Sequence, residues 1–399
     1  MSTGPDAREA RRSPSILVVV GYYPPAYLAG GPTRSVPRIV ERLSDTFQFR
    51  VVTRASDFGT SEPLRGITAD RWLDRGRARC RYLSARARRF GGLGRAIRDT
   101  PHDVLYLNSI FDFEFSLLPL LLRRLRLLPR RGLVIAPRGE LDPSALALKG
   151  RRKQLYLTLA RRFGLFAEAA WHAATPAESE AIIRAVGPSD TPHVARDIPA
   201  RGTPREAPLA KEAGALRLIS LSRISPMKNL DFALHVLRLV QGTVTFTVRG
   251  PIEDRAYWAS CMRLAAELPA NVTLRYDGPV EPDAVADALV AHDLFFLPSR
   301  AESFGHAIVE ALLAGLPVLI SDQTPWHGLE ARQAGWDLPL SDGGAFATVI
   351  DRAVAMSPEA FAGWSRGAQA MGAEIADDPA LDEAYRALFR RAVGRGLAD

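Results

Sequence analysis

The sequence predicts an α/β protein made of two doubly wound parallel-sheet domains facing each other across a cleft. Three observations carry that prediction. Short apolar runs alternate with longer helical patterns along most of the chain, which is how parallel strands covered on both faces read. At 399 residues the chain is too long for one hydrophobic core. Between the halves, Gly187 to Gly214 is rich in Pro, Gly and Ala, includes Pro188, Pro192, Pro199, Pro204 and Pro208, and has no strong apolar period, the composition of a linker.

In the first half, Ile16–Val20, Phe49–Thr53, Val104–Leu107 and Leu133–Ala136 read as strands. Helices are expected near Thr33–Leu43, Leu93–Asp99 and Phe115–Leu125. In the second half, Leu216–Ser220, Thr243–Val248, Val272–Tyr276, Leu294–Leu297 and Pro317–Ile320 read as strands separated by helices, and Leu381–Val393 as a final helix. Ile16–Val20, Val104–Leu107, Leu133–Ala136 and Leu294–Leu297 are continuously apolar, as burial on both faces requires.

Composition narrows the class. Nearly half of the residues are apolar, as in a soluble globular protein. Cys80 and Cys261 lie far apart and fit no disulfide or metal pattern, which points to a reducing cytoplasm. The apolar run after the basic N-terminus is too short for a signal peptide, and no uncharged run reaches the ~20 residues of a membrane-spanning helix. The net charge of +8 is unevenly spread: residues 1–200 hold 33 Lys and Arg against 19 Asp and Glu, and residues 201–399 hold 19 against 25. Basic clusters stand at Arg86–Arg89, Arg123–Arg126, Arg130-Arg131 and Arg151–Lys153. One reading is a face drawn to an anionic membrane, each basic residue contributing ~1 kcal/mol near the surface. The other is a solvated arginine-rich surface. Nucleic acid is not expected, because no aromatic platform accompanies the charge.

The stretch Pro298-Ser299-Arg300-Ala301-Glu302-Ser303-Phe304-Gly305-His306 links an apolar strand to a helix that carries Glu310. Ligands of open α/β sheets bind beyond the carboxyl ends of the strands. The amides of Ser303, Phe304 and Gly305 at a helix start suit a phosphate, while Glu302 and Glu310 suit hydroxyls. The combination describes a nucleotide-sugar. After the strand Leu216–Ser220, Arg223 and Lys228 flank a turn containing Pro226, with Asn229 available as a helix cap. Arg grips phosphate oxygens with two donors and Lys adds a point charge.

Ser222-Arg223, Pro226-x-Lys228-Asn229, Pro298-Ser299-x-x-Glu302-Ser303-Phe304-Gly305 and Glu310-Ala311-x-x-x-Gly315-x-Pro317-Val318 together resemble glycosyltransferase family 4. This is a family of retaining, nucleotide-sugar-dependent transferases of polysaccharide biosynthesis with the GT-B fold, and the spacing of Glu302 and Glu310 is similar to its E-x7-E signature. Gly21-Tyr22-Tyr23-Pro24-Pro25 and Gly30-Gly31-Pro32-Thr33-Arg34 look like the family's first strand and glycine-rich loop, and the likeness spans roughly residues 15 to 395. It implies that Glu310 binds the ribose, that Glu302 with Ser303, Phe304 and Gly305 binds the donor sugar and phosphate, and that Arg223 and Lys228 hold the diphosphate. It also implies no cofactor and no divalent metal. Residues 1–198 would be an acceptor-binding domain, with a helix at about 380–399 packing back on it. Residues 199–213 would be the linker and 214–379 the donor-binding domain.

Gly30 and Gly31, two glycines before a helix, either let backbone amides approach a phosphate or sugar closely or form a tight turn, and the acceptor side is read from Arg138 and Glu140. Glu140 either orients the acceptor hydroxyl or pairs with Arg138. His172 is either a packed histidine or a catalyst, and His306 either touches the donor sugar or lies on the surface. Phe115–Leu122 either dips into a membrane interface or is a buried helix. Asn108 and the segment Val194–Pro199 depart from the family's pattern. The expected activity is transfer from a UDP- or GDP-sugar to a saccharide or lipid-linked acceptor in polysaccharide, capsule or lipopolysaccharide synthesis, in the cytoplasm, peripheral on the membrane's inner face. A nucleotide-sugar epimerase of the same fold and a non-catalytic sugar-nucleotide binding protein are the alternatives.

Overall fold

The computed structural model describes residues 13–29, 31–89, 91–142, 146, 150–201 and 211–396. Gly30 and most of the expected linker lie outside the described residues. The chain divides into two compact units, Met1–Arg196 with Ala380–Asp399, and Asp197–Pro379.

The first unit is built on a sheet of strands β1 (Ser15–Val19), β2 (Gln48–Arg54), β3 (Trp72–Arg75), β4 (Ala78–Leu83), β5 (Val104–Asn108), β6 (Gly132–Ala136), β7 (Ala169–Ala173) and β8 (His193–Val194). Their order is β3-β4-β2-β1-β5-β6-β7-β8, parallel except for the β3–β4 pair. Every residue of β1, β5, β6 and β7 is buried, which is why these strands read as unbroken apolar runs. β4 alternates instead: Ala78 and Cys80 are buried while Arg79 is exposed. Arginines on its solvent face hid this edge hairpin from the apolar pattern. The expected helix Phe115–Leu125 is instead a π-helical turn, Phe113–Leu117, that continues into an α-helix, Leu118–Arg124. Asp112 starts the turn by accepting from the amides of Glu114 and Phe115.

The final helix, Pro379–Gly396, packs on this first unit. Phe389 is fully buried among Phe47, Phe49 and Tyr106, with ring centroids 5.5, 6.2 and 5.3 Å away. Burying an aromatic side chain of this size contributes about 2–3 kcal/mol, so the helix is held by its apolar face. Arg42 and Asp382, 2.9 Å apart, fix its first turn.

The second unit holds β9 (Ala215–Leu221), β10 (Thr243–Arg249), β11 (Val272–Tyr276), β12 (Leu294–Leu297), β13 (Val318–Ser321) and β14 (Gly335–Leu338), all parallel, in the order β11-β10-β9-β12-β13-β14. The chain winds outward from β9 in one direction and resumes at β12 in the other. The boundary between β9 and β12 is therefore a topological switch point, where neighbouring loops leave in opposite directions and a crevice opens. In the first unit the same reversal falls between β1 and β5.

Candidate active site

The loops after β9 and β12, Ser222–Asn229 and Pro298–Gly305, both leave the switch point of the second unit. They are tied to each other before any ligand is considered. The Arg300 amide donates to the Met227 carbonyl at 2.9 Å, Arg300 Nε to the Pro226 carbonyl at 3.2 Å, and Asn229 Nδ2 to the Pro298 carbonyl at 3.0 Å. Asn229 does not cap its own helix, as the sequence led us to expect. It takes a left-handed conformation, φ 62°, and spends its amide on the other loop. Gly250 lets β9's loop pass close: a Cβ there would sit 1.8 Å from the Ser222 carbonyl oxygen, and its φ is 145°.

This stapling brings Lys228 and Glu302 together. Lys228 Nζ lies 2.5 Å from Glu302 Oε1, and the buried Ser299 hydroxyl donates to the same oxygen at 2.8 Å. The other carboxylate oxygen accepts nothing among the described residues. Glu302 is held from behind too, because its amide donates to the Gln323 carbonyl. Arg223 is placed differently. Its Nη1 donates to Glu253 at 2.7 Å, and both side chains are about a third exposed. Exposed pairs of this kind are worth about 0–1 kcal/mol, so Arg223 can exchange Glu253 for a phosphate at small cost.

Gly305 starts the helix His306–Leu313 with φ 78°, a left-handed conformation, and a Cβ there would meet Ile308 at 2.8 Å. Phe304 anchors the turn: its ring is buried against Trp326, centroids 5.3 Å apart, and its carbonyl accepts from Trp326 Nε1. The amides of Ser303, Phe304 and Gly305 donate to no acceptor among the described residues. Three such donors at a helix start form an anion-binding arrangement. Glu310 stands half-buried in the helix itself. His306 is neither a surface histidine nor open to solvent: it is mostly buried, 3.5 Å from Asp197 and against Phe304. Ser299 and Asp197 are the supporting residues that sequence reasoning missed. Asp197 falls in the segment that departs from the family's pattern, and that departure was its only signal.

In the first unit, Gly31 precedes the helix Pro32–Leu43 with φ −42°, and a Cβ there would meet nothing within 4 Å. Its backbone is thus ordinary, and what the glycine supplies is open space. Arg138 and Glu140 do follow β6, yet they do not pair. Glu140 accepts from Ser109 Oγ at 2.8 and 2.9 Å and from the amides of Ile110 and Phe111 at 2.7 and 3.1 Å. Burial pushes its carboxyl above the usual range, partly offset by those hydrogen bonds. Arg138 donates to Asn108 Oδ1 and to the Tyr106 hydroxyl, both at 2.9 Å. The Tyr106 hydroxyl in turn meets His172 Nδ1 at 2.8 Å, and His172 Nε2 meets the Ala195 carbonyl at 2.8 Å. A carbonyl only accepts, so Nε2 carries the proton and Nδ1 accepts from Tyr106. With 1% exposure, His172 is a packed histidine. Behind the turn, the buried carboxylate of Glu178 accepts from the amides of Gly139 and Ala174, each at 2.6 Å.

Known proteins resemble this chain in part of its sequence and in its fold. Residues 205–337 match the family model described as "Glycosyl transferases group 1". A D-inositol 3-phosphate glycosyltransferase of Streptomyces bingchenggensis is 32% identical over 117 residues, 27% of this chain and 26% of that protein. The match therefore spans about a quarter of the relative's length. Among solved structures, sucrose-phosphate synthase from Thermosynechococcus elongatus superposes with a TM-score of 0.69 at 17% identity, covering 96% of this chain and 99% of the other. Anabaena HepE, solved in complex with UDP-glucose, gives 0.66 at 17% identity over 94% and 100%. The chain has the fold of GT-B glycosyltransferases, two Rossmann-like parallel-sheet domains, and its residues 205–337 are similar to the group 1 glycosyltransferases.

Proposed function

We propose that this protein is a retaining glycosyltransferase that moves a sugar from a UDP- or GDP-sugar to a hydroxyl of a saccharide or lipid-linked acceptor, in polysaccharide, capsule or lipopolysaccharide synthesis. The observation that carries the reading is the Lys228–Glu302 pair at the β9–β12 switch point, beside the amides of Ser303, Phe304 and Gly305, which have no acceptor among the described residues. HepE supports it as a neighbour of the same fold solved with UDP-glucose.

In this reading Lys228, Arg223 and the turn amides hold the diphosphate, Glu310 the ribose and Glu302 the donor sugar. The bond between the anomeric carbon and the phosphate oxygen breaks while the acceptor oxygen attaches on the same face. The acceptor's proton passes to the departing phosphate. Negative charge grows on the diphosphate as this happens, so fixed cations and amides stabilise the transition state more than the ground state. No cofactor or divalent metal is needed, and turnover should survive a chelator. Gly30 and Gly31 let backbone amides approach a phosphate or sugar, and Arg138 and Glu140 belong to the acceptor side as supports of the loop after β5. The protein works in the cytoplasm, peripheral on an anionic membrane.

A panel of nucleotide-sugars with lipid and polysaccharide extracts tests the proposal, with products read by mass spectrometry. Transfer to an acceptor is expected. Acceptor-free isomerisation would instead establish an epimerase, and binding without turnover in every extract a non-catalytic binding protein.

A further inference from the structure

We infer that the outer face of the helix Gly150–Arg162, with the neighbouring helix Leu118–Arg124, is the surface by which the first unit docks on an anionic lipid bilayer. The inference refines the membrane partner of the proposed function and can be tested without turnover. Within Phe115–Leu122, Phe115 and Leu120 are buried, each 1% exposed, so only the side of this segment that carries Leu121 can take part. The larger exposed apolar group lies on the helix Gly150–Arg162. Leu155, Leu159 and Phe163 are 61%, 43% and 60% exposed, and their spacing of four residues puts them along one helix face. Leu157 and Ala160, on the other face, are buried in the core.

A second apolar group stands beside the first. Leu121 and Leu125 are 42% and 58% exposed. Arg124 joins the two groups, its Nε donating to the Phe163 carbonyl at 2.8 Å. Next to this junction an open hollow of about 150 Å³ is lined by Arg123, Arg124, Arg130 and Glu168 among others. Large exposed apolar residues clustered in this way mark an interaction surface.

Charge selects the partner. The helix Gly150–Arg162 carries Arg151, Arg152, Lys153, Arg161 and Arg162 and no acidic residue, and Leu118–Arg124 adds the exposed Arg124, while its Arg123 is buried and paired with Glu168. A two-fold dimer through this face would set arginine against arginine, because such an interface must be self-complementary. A bilayer with anionic headgroups satisfies both features at once: leucine and phenylalanine enter the interface while arginines meet phosphate. An apolar stripe without a stacking platform gives nucleic acid no comparable fit.

Vesicle co-sedimentation tests the inference with two probes, phosphatidylcholine vesicles alone and vesicles with 30% phosphatidylglycerol. The wild-type protein is expected to bind the anionic vesicles at least tenfold more tightly than the neutral ones, with the difference shrinking as salt is raised. The double variant L159E/F163E should lose at least tenfold in anionic-vesicle binding while keeping its circular dichroism spectrum and its affinity for UDP. R151E/R152E, which leaves the apolar stripe intact, should weaken binding as well. Wild-type-like vesicle binding by L159E/F163E would overturn the surface assignment. So would a wild-type dimer that this variant dissolves, or equal binding to both vesicle types. Vesicle binding with no transfer in any assay would sink the proposed reaction alone, and transfer to soluble acceptors without vesicle binding would sink the docking surface alone.

Discussion

At the carboxyl end of β6, the Glu140 carboxylate accepts from three donors, the Ser109 hydroxyl and the Ile110 and Phe111 amides. At the carboxyl end of β12, Glu302 has one oxygen held by Lys228 and Ser299 and the other without a partner among the described residues. Both residues follow a buried parallel strand and both looked like site glutamates. The first lies among groups that the protein itself largely satisfies: Arg138, Tyr106, His172 and Glu178 bond one another or the backbone, although the buried Asn108 Nδ2 and the Tyr156 hydroxyl near Glu140 have no partner among the described residues. The second lies among groups left with capacity to spare. Buried polar groups are satisfied when their task is structural, so the contrast separates scaffold from binding site within one fold.

The largest effect expected from this contrast is on turnover. Lys228→Ala should lower kcat/KM by about 10³, roughly 4 kcal/mol of lost transition-state stabilisation. Its thermal stability should stay within about 1 kcal/mol of wild type, since the Arg300 and Asn229 staples remain. Steady-state kinetics beside calorimetry would show it. A variant that turns over normally would remove Lys228 from the diphosphate site.

In the first unit the same kind of substitution should act on stability instead. Glu178→Ala strands the buried amide of Ala174 and the part-buried amide of Gly139 and should cost about 3 kcal/mol in denaturant unfolding, with UDP affinity unchanged. Unchanged stability would mean that this network is not structural.

A smaller effect belongs to Arg223. Arg223→Ala should weaken nucleoside diphosphate binding about tenfold. Glu253→Gln, which releases the arginine from its weak pair, should not weaken it. If both variants weakened binding equally, the ion pair itself would be what matters.

The smallest effect is a pH dependence. Burial raises the Glu140 carboxyl, so the folded protein holds that proton more tightly than the unfolded chain does. The stability contributed by the proton is present below the unfolded carboxylate range and is lost as pH rises through the raised folded value. Glu140→Gln should therefore lose stability relative to wild type as pH is lowered from neutral. A wild-type-to-variant difference that is flat with pH would show that the carboxyl titrates alike in both states.

The sequence made the central strands of both sheets legible because they are buried on both faces and read as unbroken apolar runs; β5 and β12 were placed almost to the residue. The β3–β4 hairpin was not legible, since its alternation is carried by arginines on the solvent side. In the second unit, the motif spacing was enough to bring Lys228 toward Glu302, because neighbouring parallel strands send their loops to the same end. Sequence alone did not separate Glu140's role from that of Glu302. The difference lies in hydrogen bonds from Ser109, Ile110 and Phe111, some thirty residues away, and no local pattern encodes them. Nor did it distinguish the inward from the outward leucines near Leu120 and Leu159, which depend on how each helix is rotated on the sheet.

The most direct test of the central claim is calorimetric titration of UDP and GDP into the wild-type protein and Lys228→Ala. The account predicts saturable binding of one of the two to the wild type, weakened at least tenfold by the substitution. Equal affinity in the two proteins, or no binding of either nucleotide to the wild type, would contradict it.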